Sequence, residues 1–316
     1  MTIADDVRRG LSDSPKKLLP YLFYDTDGST LYERITELPE YYPTRTERAI
    51  LKACADEVVA AVDAGDGEAP QVVELGAGSA SKTTWVLRAV LKRYGSCEFL
   101  PLDVSATALE FAQSILEREV PGVVVHPVLG RHEDAMAEVI RKHPDHQRLV
   151  LFIGSSIGNF DDPAAVRLLA HARACLGPGG ALLLGTDLRK DVGRMVAAYD
   201  DAQGVTAAFN KNVLARINRE LGGHFDLARF RHVALWNEAR SRIEMHLESL
   251  AAQSVAIDAL EMTVDFTAGE RIHTESSVKY DLPRVDALFE AAGLARVKTF
   301  TDPEGLFGVH LARASR

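Results

Sequence analysis

A glycine-rich turn between residues 72 and 83, VVELGAGSASKT, contains the residues whose types and spacing most directly suggest chemistry. Gly76 and Gly78 allow the backbone to turn tightly and to approach a ligand closely. A helix beginning just after the turn would offer that ligand unpaired N–H groups and a positive end. Glu74 precedes the first glycine by two residues, and Asp103 ends the next apolar run. The pattern therefore predicts a ligand site whose second acid accepts hydrogen bonds from ribose hydroxyls.

Two common nucleotide-binding motifs do not fit this turn. The dinucleotide fingerprint G-x-G-x-x-G requires a third glycine where the chain has Ser81. A P-loop requires Gly-Lys-Ser/Thr after four intervening residues, and that spacing is absent. Glu74, the glycine turn and Asp103 together resemble instead the class I S-adenosylmethionine (SAM) methyltransferases. This resemblance implies that SAM is the co-substrate and that Asp103 binds its ribose.

The elements that must position this turn follow the alternating pattern of a parallel α/β sheet. Apolar runs predict buried strands, and segments of helical periodicity separate them. The predicted strands are 71–75, 97–104, 123–130, 148–154 and 181–187. The predicted helices are 82–95, 106–119, 135–143 and 163–176. Ligands of such sheets bind at the carboxyl ends of the strands, where this turn lies.

The alternation ends after Asp187. Residues 190–222 have helical patterns, whereas 241–250 and 260–266 alternate apolar and polar residues, as antiparallel strands do. A helix at 284–294 and two strands within 295–314 are expected to complete the first sheet.

The predicted fold class is therefore α/β. It combines a Rossmann-like, seven-stranded class I methyltransferase sheet with a second, inserted α+β substrate-binding domain. The predicted SAM-binding domain comprises 56–188 and 282–316, and the substrate-binding domain comprises 8–55 and 189–281.

Composition restricts the partners and the compartment. Among 316 residues, 45 acidic and 36 basic side chains give a formal net charge of −9, which disfavours binding to nucleic-acid phosphates. The first seventeen residues lack the apolar core of a signal peptide, and no apolar run is long enough to span a membrane. Three widely spaced cysteines, Cys54, Cys97 and Cys175, suit a reducing compartment. We expect a cytoplasmic protein without nucleic-acid or membrane partners.

The histidines give no indication of a metal site. The ten histidines are scattered, and neither HExxH nor a two-histidine pair on one helix face occurs. Methyl transfer from a sulfonium needs alignment of the reacting atoms rather than a metal or a covalent nucleophile. We therefore expect no metal cofactor.

Longer segments carry a more specific resemblance, to the L-histidine Nα-methyltransferases of ergothioneine biosynthesis. The segments are LPEYYPTRTE (38–47), GSSIGNF (154–160), LLLGTDLRKD (182–191), AYDDAQGVTAAFNKNVL (198–214), RIEM (242–245) and TESSVK (274–279). The resemblance runs from about residue 8 to the C-terminus. It implies three SAM-dependent methylations of the α-amine of free L-histidine, which give hercynine (Nα,Nα,Nα-trimethylhistidine), the first step of ergothioneine biosynthesis. We expect the protein to act as a monomer.

The resemblance also implies roles for individual residues. The cofactor-binding residues would be Glu74, Gly76, Gly78, Lys82 and Asp103. The catalytic or substrate-binding residues would be Tyr24, Tyr41, Asn159, Tyr199, Met245, Glu275 and Ser277. Among these, Asn159 and Tyr199 would hold the backbone end of the amino acid. Met245, Glu275 and Ser277 would surround the imidazole ring.

The residues themselves support some of these roles and leave alternatives for others. Glu275 and Ser277 are two residues apart in the sequence, so in an extended segment both side chains face the same side. They could then form hydrogen bonds with the two imidazole nitrogens. Periodicity alone favours Met245 as a core methionine. Asn159 could instead cap the helix that follows it near Asp161.

One segment departs from the family pattern. Where the family has Gly-Asp-Phe near the adenine, this chain has Gly130, Arg131 and His132. An arginine cannot accept a hydrogen bond from the adenine amino group, so either a backbone carbonyl or Glu133 accepts that bond, or SAM binding is weaker. Two other functions remain open at this point: methylation of another small amino acid, and non-catalytic SAM binding.

Overall fold

The structure, a computed structural model, describes residues 2–62 and 67–315. Residues 63–66, within the predicted SAM-binding domain, lie outside the described residues. In the described ranges the α-helices are α1 (Ile3–Ser12), α2 (Thr26–Glu37), α3 (Tyr42–Ala61), α4 (Thr84–Tyr94), α5 (Ala106–Glu119), α6 (His132–Lys142), α7 (Asp162–Cys175), α8 (Val192–Ala197), α9 (Val205–Leu221) and α10 (Leu282–Ala291). The strands are β1 (Gln71–Leu75), β2 (Cys97–Asp103), β3 (Val123–Val125), β4 (Val128–Leu129), β5 (Arg148–Phe152), β6 (Ala181–Asp187), β7 (Phe230–Asn237), β8 (Arg242–Ser249), β9 (Gln253–Ile257), β10 (Met262–Phe266), β11 (Arg271–Val278), β12 (Leu294–Thr301) and β13 (Phe307–Ala314).

One compact unit, whose described residues are 43–62, 67–189 and 279–315, is built on a mostly parallel sheet in the order β12-β13-β6-β5-β1-β2-β3. Strand β13 runs antiparallel to both neighbours, and the remaining pairs are parallel. Every residue of β1, β5 and β6 is buried, which explains why these strands are predominantly apolar. The chain order reverses at β1, which pairs with β2 on one side and β5 on the other. The predicted Rossmann-like α/β fold is confirmed, and its switch point lies at the glycine turn.

The third predicted strand, 123–130, is divided in two. Both β3 and β4 pair with β2, and His126 and Pro127 separate them. Proline has no N–H to donate and therefore interrupts a ladder of hydrogen bonds. The sheet thus has seven strand positions, with its outermost position shared by two short strands.

Helix α3 belongs with this sheet over nearly its whole length. Its apolar residues Ile50, Leu51 and Val58 lie in one core cluster with Val72 of β1 and Leu183 of β6. The unit therefore begins at Pro43, whereas the predicted boundary lies between 55 and 56. The later boundaries between the units fall at 189/190 and 278/279, whereas the predicted boundaries are 188/189 and 281/282.

The described residues of the other unit are 2–42 and 190–278. It contains a three-stranded antiparallel sheet in the order β11-β8-β7 and a hairpin of β9 and β10. Along β8, the apolar Ile243, Met245 and Leu247 alternate with charged or polar residues. This alternation defines an inner, apolar face and an outer, charged face of the sheet. None of the helices in the described ranges combines the length and the apolar character that crossing a membrane requires.

Candidate active site

The glycine turn joins the end of β1 to the beginning of α4. Gly76 and Gly78 have φ angles of +65° and +52°, in the left-handed region that favours glycine. The Gly78 N–H donates to Asp103 Oδ2 over 3.1 Å, which attaches the turn to the end of β2. A Cβ added to Gly78 would meet no atom within 4 Å, so the backbone is open to a ligand there. The structure therefore brings the predicted glycines and Asp103 together around an accessible backbone.

Asp103 is held in place by two backbone donors. Its Oδ1 accepts from the Ser105 N–H at 2.9 Å, and its Oδ2 accepts from the Gly78 N–H at 3.1 Å. The side chain is half-buried at the last position of β2. Each carboxylate oxygen has a further lone pair, so the group can still accept hydrogen bonds from a pair of hydroxyls.

Glu74 supports the turn from inside the protein. Only 2% of its surface is exposed, and its Oε2 accepts a hydrogen bond from Thr83 Oγ1 at 2.7 Å. Burial raises the pKa of the Glu74 carboxyl to about 8, so the group holds its proton at neutral pH. The contact links β1 to the residue before α4, across the base of the glycine turn.

Lys82 forms an ion pair with Glu47, a residue that the sequence analysis did not select. The Lys82 Nζ lies 2.5 Å from Glu47 Oε2, and the Glu47 side chain is fully buried. The Gly154 N–H donates to the same carboxylate, at 2.8 Å from Oε1 and 2.9 Å from Oε2. A Cβ on Gly185 would come within 2.1 Å of Oε1, so only glycine leaves room for the carboxylate. Glu47 thus joins α3, the glycine turn, the end of β5 and β6.

A signal for Glu47 was present in the sequence. The residue ends the segment LPEYYPTRTE, which carries part of the family resemblance. Its position inside a helix gives a pattern search no reason to separate it from a solvated glutamate.

Asn159 follows the end of β5, in a short 3-10 helix, Ser156–Asn159. The cap of the next helix, α7, is Asp161, whose Oδ1 accepts from the Ala164 N–H at 2.9 Å. Capping therefore does not account for Asn159. The half-buried side chain stands at the carboxyl edge of the parallel sheet, where this fold class binds ligands.

The residues that replace the family's Gly-Asp-Phe are placed differently from one another. Arg131 and Glu133 are exposed, whereas His132 packs edge-on against Phe152 with ring centroids 5.7 Å apart. The His132 Cε1 lies 3.7 Å from where a Cβ of Gly76 would be. Burial lowers the pKa of His132, so its ring is neutral at neutral pH and retains one acceptor nitrogen. His132, rather than Arg131, stands against the glycine turn.

Met245, Glu275 and Ser277 share the inner face of the antiparallel sheet. In the register of β8 and β11, Glu275 lies opposite Met245, and Ser277 lies opposite Ile243. Met245 and Ser277 are buried, and Glu275 is half-buried. Side chains directly opposite one another have Cβ atoms about 5 Å apart, so a carboxylate and a thioether stand side by side here.

A tyrosine cluster, consisting of Tyr24, Tyr32, Tyr41 and Tyr199, adjoins this face. Tyr199 Oη and Ser277 Oγ are hydrogen-bonded at 2.7 Å. Edge-to-face ring pairs continue from Tyr199 to Tyr41 at 6.2 Å, to Tyr32 at 6.4 Å and to Tyr24 at 5.7 Å. Burial raises the pKa of Tyr41 well above its ordinary value, so its hydroxyl stays neutral. Sequence reasoning missed Tyr32, whose place on α2 gave no sign of this neighbourhood.

Six of the predicted substrate residues thus belong to the unit of residues 2–42 and 190–278. Asn159 belongs, with the predicted cofactor residues, to the other unit. In the described part of the chain, no group of three or more His, Cys, Asp or Glu side chains is arranged to hold a metal ion. The open glycine backbone and the fixed Asp103 carboxylate fit SAM.

Comparisons with known proteins point in the same direction. The family model described as "Histidine-specific methyltransferase, SAM-dependent" matches residues 3–314. The chain is 46% identical over 312 residues to the histidine N-alpha-methyltransferase of Mycobacterium tuberculosis, and the match covers 99% of this chain and 95% of that protein. It is 47% identical over 307 residues to the protein of that name from Mycolicibacterium smegmatis, and the match covers 97% of this chain and 93% of that protein. It is 31% identical over 313 residues to ergothioneine biosynthesis protein 1 of Neurospora crassa, covering 96% of this chain and 34% of that protein.

Proposed function

Because this chain belongs to the family of histidine-specific, SAM-dependent methyltransferases, we propose that it methylates the α-amine of L-histidine three times and produces hercynine. The similarity to two histidine N-alpha-methyltransferases over nearly the whole chain supports histidine as the substrate. The similarity to an ergothioneine biosynthesis protein supports a role in that pathway. The single observation in the structure that most favours histidine is the pairing of Glu275 with Met245 beside Ser277.

The inner face of the antiparallel sheet has the chemistry to recognise an imidazole. The Glu275 carboxylate can accept an imidazole N–H in a charge-assisted hydrogen bond, which is stronger than a neutral one. Ser277 can donate to or accept from the second ring nitrogen. Met245 offers an apolar, polarisable wall for the ring. An indole has one N–H and no acceptor nitrogen, so this set of partners favours histidine over tryptophan.

The cofactor unit supplies position rather than a reactive group. SAM, when bound, provides an activated methyl group, and its transfer to an amine is an in-line displacement that depends on alignment. Asp103 would hold the ribose hydroxyls, and the open backbone at Gly76 and Gly78 would approach the cofactor closely. Glu47 and Glu74 hold the turn in the shape that this binding needs.

The amine must lose its proton before it can be methylated. A carboxylate in contact with the α-ammonium would stabilise the charged form and oppose attack. Asn159 offers an amide oxygen to the amine and an NH₂ group to the substrate carboxylate without such a bias. Tyr41 is neutral, and the ring faces of the tyrosine cluster can tolerate a quaternary ammonium product. These features support three successive methylations.

We further propose that the protein acts as a cytoplasmic monomer on free histidine, without a metal, nucleic acid or membrane. The three cysteines are free and buried, as suits a reducing compartment. The net charge of −9 disfavours polyanionic partners.

A mass-spectrometric assay tests the proposal. Purified protein is incubated with SAM and, separately, with histidine, its mono- and dimethyl forms, tryptophan and tyrosine. Conversion of histidine and of both intermediates to trimethylhistidine, with tryptophan and tyrosine inert, is the expected result. Methylation of another amino acid in place of histidine would refute the substrate. Bound SAM with no turnover of any amino acid would favour a SAM-binding module instead.

A further inference from the structure

Strand β11 changes the face to which its side chains point partway along its length. Arg271 and His273 pair with Glu248 and His246 of β8, on the outer face. Two residues farther on, Glu275 pairs with Met245 on the inner face. In a regular strand, residues two apart share a face, so His273 and Glu275 could not lie on opposite sides.

A β-bulge produces the change. The register shifts between His273 and Glu275, so Thr274 is an extra residue opposite Met245. The bond from His273 Nε2 to Ser276 Oγ at 2.9 Å agrees with this, because both side chains lie on the outer face although they are three residues apart. The bulge is what aligns Glu275 and Ser277 with Met245.

The bulge is held from two sides. The His273 N–H donates to the Lys16 carbonyl at 3.0 Å, and the His273 carbonyl accepts from the Leu18 N–H at 2.8 Å. On the side of β8, Thr274 Oγ1 donates to the Met245 carbonyl at 3.0 Å. Thr274 is only 1% exposed, so its hydroxyl bond is shielded from competing water.

We propose that Thr274 is a positioning residue for imidazole recognition. Its hydroxyl fixes the bulge to the carbonyl of the residue that stands opposite Glu275. A slip of one residue would turn every following side chain of β11 to the other face, taking Glu275 and Ser277 to the charged outer side. The inference rests on the proposed function, since it takes histidine as the substrate.

Kinetics of one hydroxyl-free variant, one hydroxyl-bearing variant and a matched control test the proposal. Thr274→Val removes the donor at nearly constant volume, and we expect the KM for histidine to rise about tenfold, as for the loss of one buried hydrogen bond. The dissociation constant of SAM should stay within about twofold, because Thr274 has no part in the glycine turn. Thr274→Ser keeps the hydroxyl and should restore most of the affinity for histidine. Thr263→Val, the same change at an exposed position of β10, is the matched control and should alter neither constant.

A double-mutant cycle separates positioning from a general loss of stability. Because Thr274 acts through Glu275 and Ser277, Thr274→Val should raise the KM for histidine by a smaller factor in a Glu275→Ala background than in the wild type. Additive effects of the two substitutions would overturn the inference. If Thr274→Val does not fold, Thr274→Ala, which also lacks the hydroxyl, is measured in the same cycle.

The failures of the two proposals are distinguishable. Wild-type turnover of histidine with an unchanged KM in the hydroxyl-free variants would overturn the role of Thr274 and leave the proposed function intact. Absence of histidine turnover in the wild type would overturn both, because no imidazole would then be positioned.

Discussion

Among single residues, Glu275 is the one whose substitution we expect to affect substrate choice most directly if the proposed function holds. It stands opposite Met245 on the inner face, next to the bonded pair of Ser277 and Tyr199. Glu275→Ala should weaken histidine binding by about 10- to 100-fold, since a hydrogen bond to a charged group contributes roughly 1.5–3 kcal/mol. Titration calorimetry with histidine and with SAM measures both affinities, and the affinity for SAM should be almost unchanged.

Asp103→Ala is the reciprocal variant for that experiment. It removes the carboxylate at the end of β2 and should weaken SAM binding. Equal loss of both ligands in Glu275→Ala would indicate misfolding and contradict the assignment. Unchanged SAM affinity in Asp103→Ala would remove that residue from the cofactor site.

Glu74 gives a pH dependence of stability with a defined sign. Its pKa is raised by burial from an ordinary value of 4.5 to about 8, so the folded state holds a proton that the unfolded chain releases. The resulting stabilisation is complete below the ordinary value and is lost as the pH rises through about 8. Glu74→Gln cannot titrate, so the free energy of unfolding of the wild type should fall relative to this variant, by up to about 1.4 kcal/mol per pH unit.

Urea unfolding of the wild type and Glu74→Gln across that range of pH measures the difference. Glu110→Gln, at an exposed position of α5, controls for loss of a carboxylate alone. Parallel curves for the wild type and Glu74→Gln would show that Glu74 is ionised in the folded protein.

Between elements, the contact of α3 with the parallel sheet depends on the absence of a side chain at Gly185. A methyl group there would lie 2.1 Å from Glu47 Oε1 and 3.2 Å from Ile153 Cα. Gly185→Ala should therefore displace the Glu47 carboxylate from the Gly154 N–H and from Lys82. We expect a loss of about 1–3 kcal/mol of stability from overpacking, and weaker SAM binding.

Thermal unfolding and SAM calorimetry measure both effects of Gly185→Ala. Gly193→Ala, at an exposed position of α8 where the added Cβ would lie 3.1 Å from Asp191 Oδ1, is the comparison variant and should leave the SAM affinity close to that of the wild type. Unchanged SAM affinity in a destabilised Gly185→Ala would show that Glu47 supports the fold but not the cofactor site.

Most elements could be predicted because their local signals agree with their tertiary environment. β1 and α5 have the predicted bounds, since an apolar run buried on both faces and a helix of strong period leave no competing structure. The third strand was predicted as continuous and is divided, because the apolar pattern continues through Pro127 while its hydrogen bonding cannot. The bulge at Thr274 has no signature in composition, since it depends on how β11 pairs with β8.

At the scale of the whole molecule, a buried ion pair lies close along the chain to two of the positions where the chain passes from one compact unit to the other. Lys279 Nζ and Asp187 Oδ2 are 2.8 Å apart, with side chains 0% and 1% exposed. The chain leaves this unit after Arg189 and returns at Lys279. Lys279→Met removes the buried cation and should lower the free energy of unfolding by about 3–5 kcal/mol.

Urea unfolding of Lys279→Met measures this cost. Lys298→Met removes the cation of an exposed pair with Glu57 in the same unit, and its effect should stay below about 1 kcal/mol. Adding Asp187→Leu to Lys279→Met should recover part of the loss, because no buried charge then remains uncompensated. Equal effects of the two single lysine substitutions would contradict a special role for the buried pair.

The fold class, the glycine turn with its acids and the family could all be inferred from the amino-acid sequence. These features depend on contiguous segments and on the spacing of apolar residues. Interactions between residues close together in the chain form strands, helices and turns from such patterns. The contacts of Glu47 with Lys82 and Gly154, the position of His132 against the glycine turn and the place of Tyr32 in the tyrosine cluster depend on the folded arrangement. The folded arrangement also decides which face of β11 presents Glu275. Each of these depends on contacts between residues far apart in the chain, and no local pattern encodes the register or packing that brings such residues together.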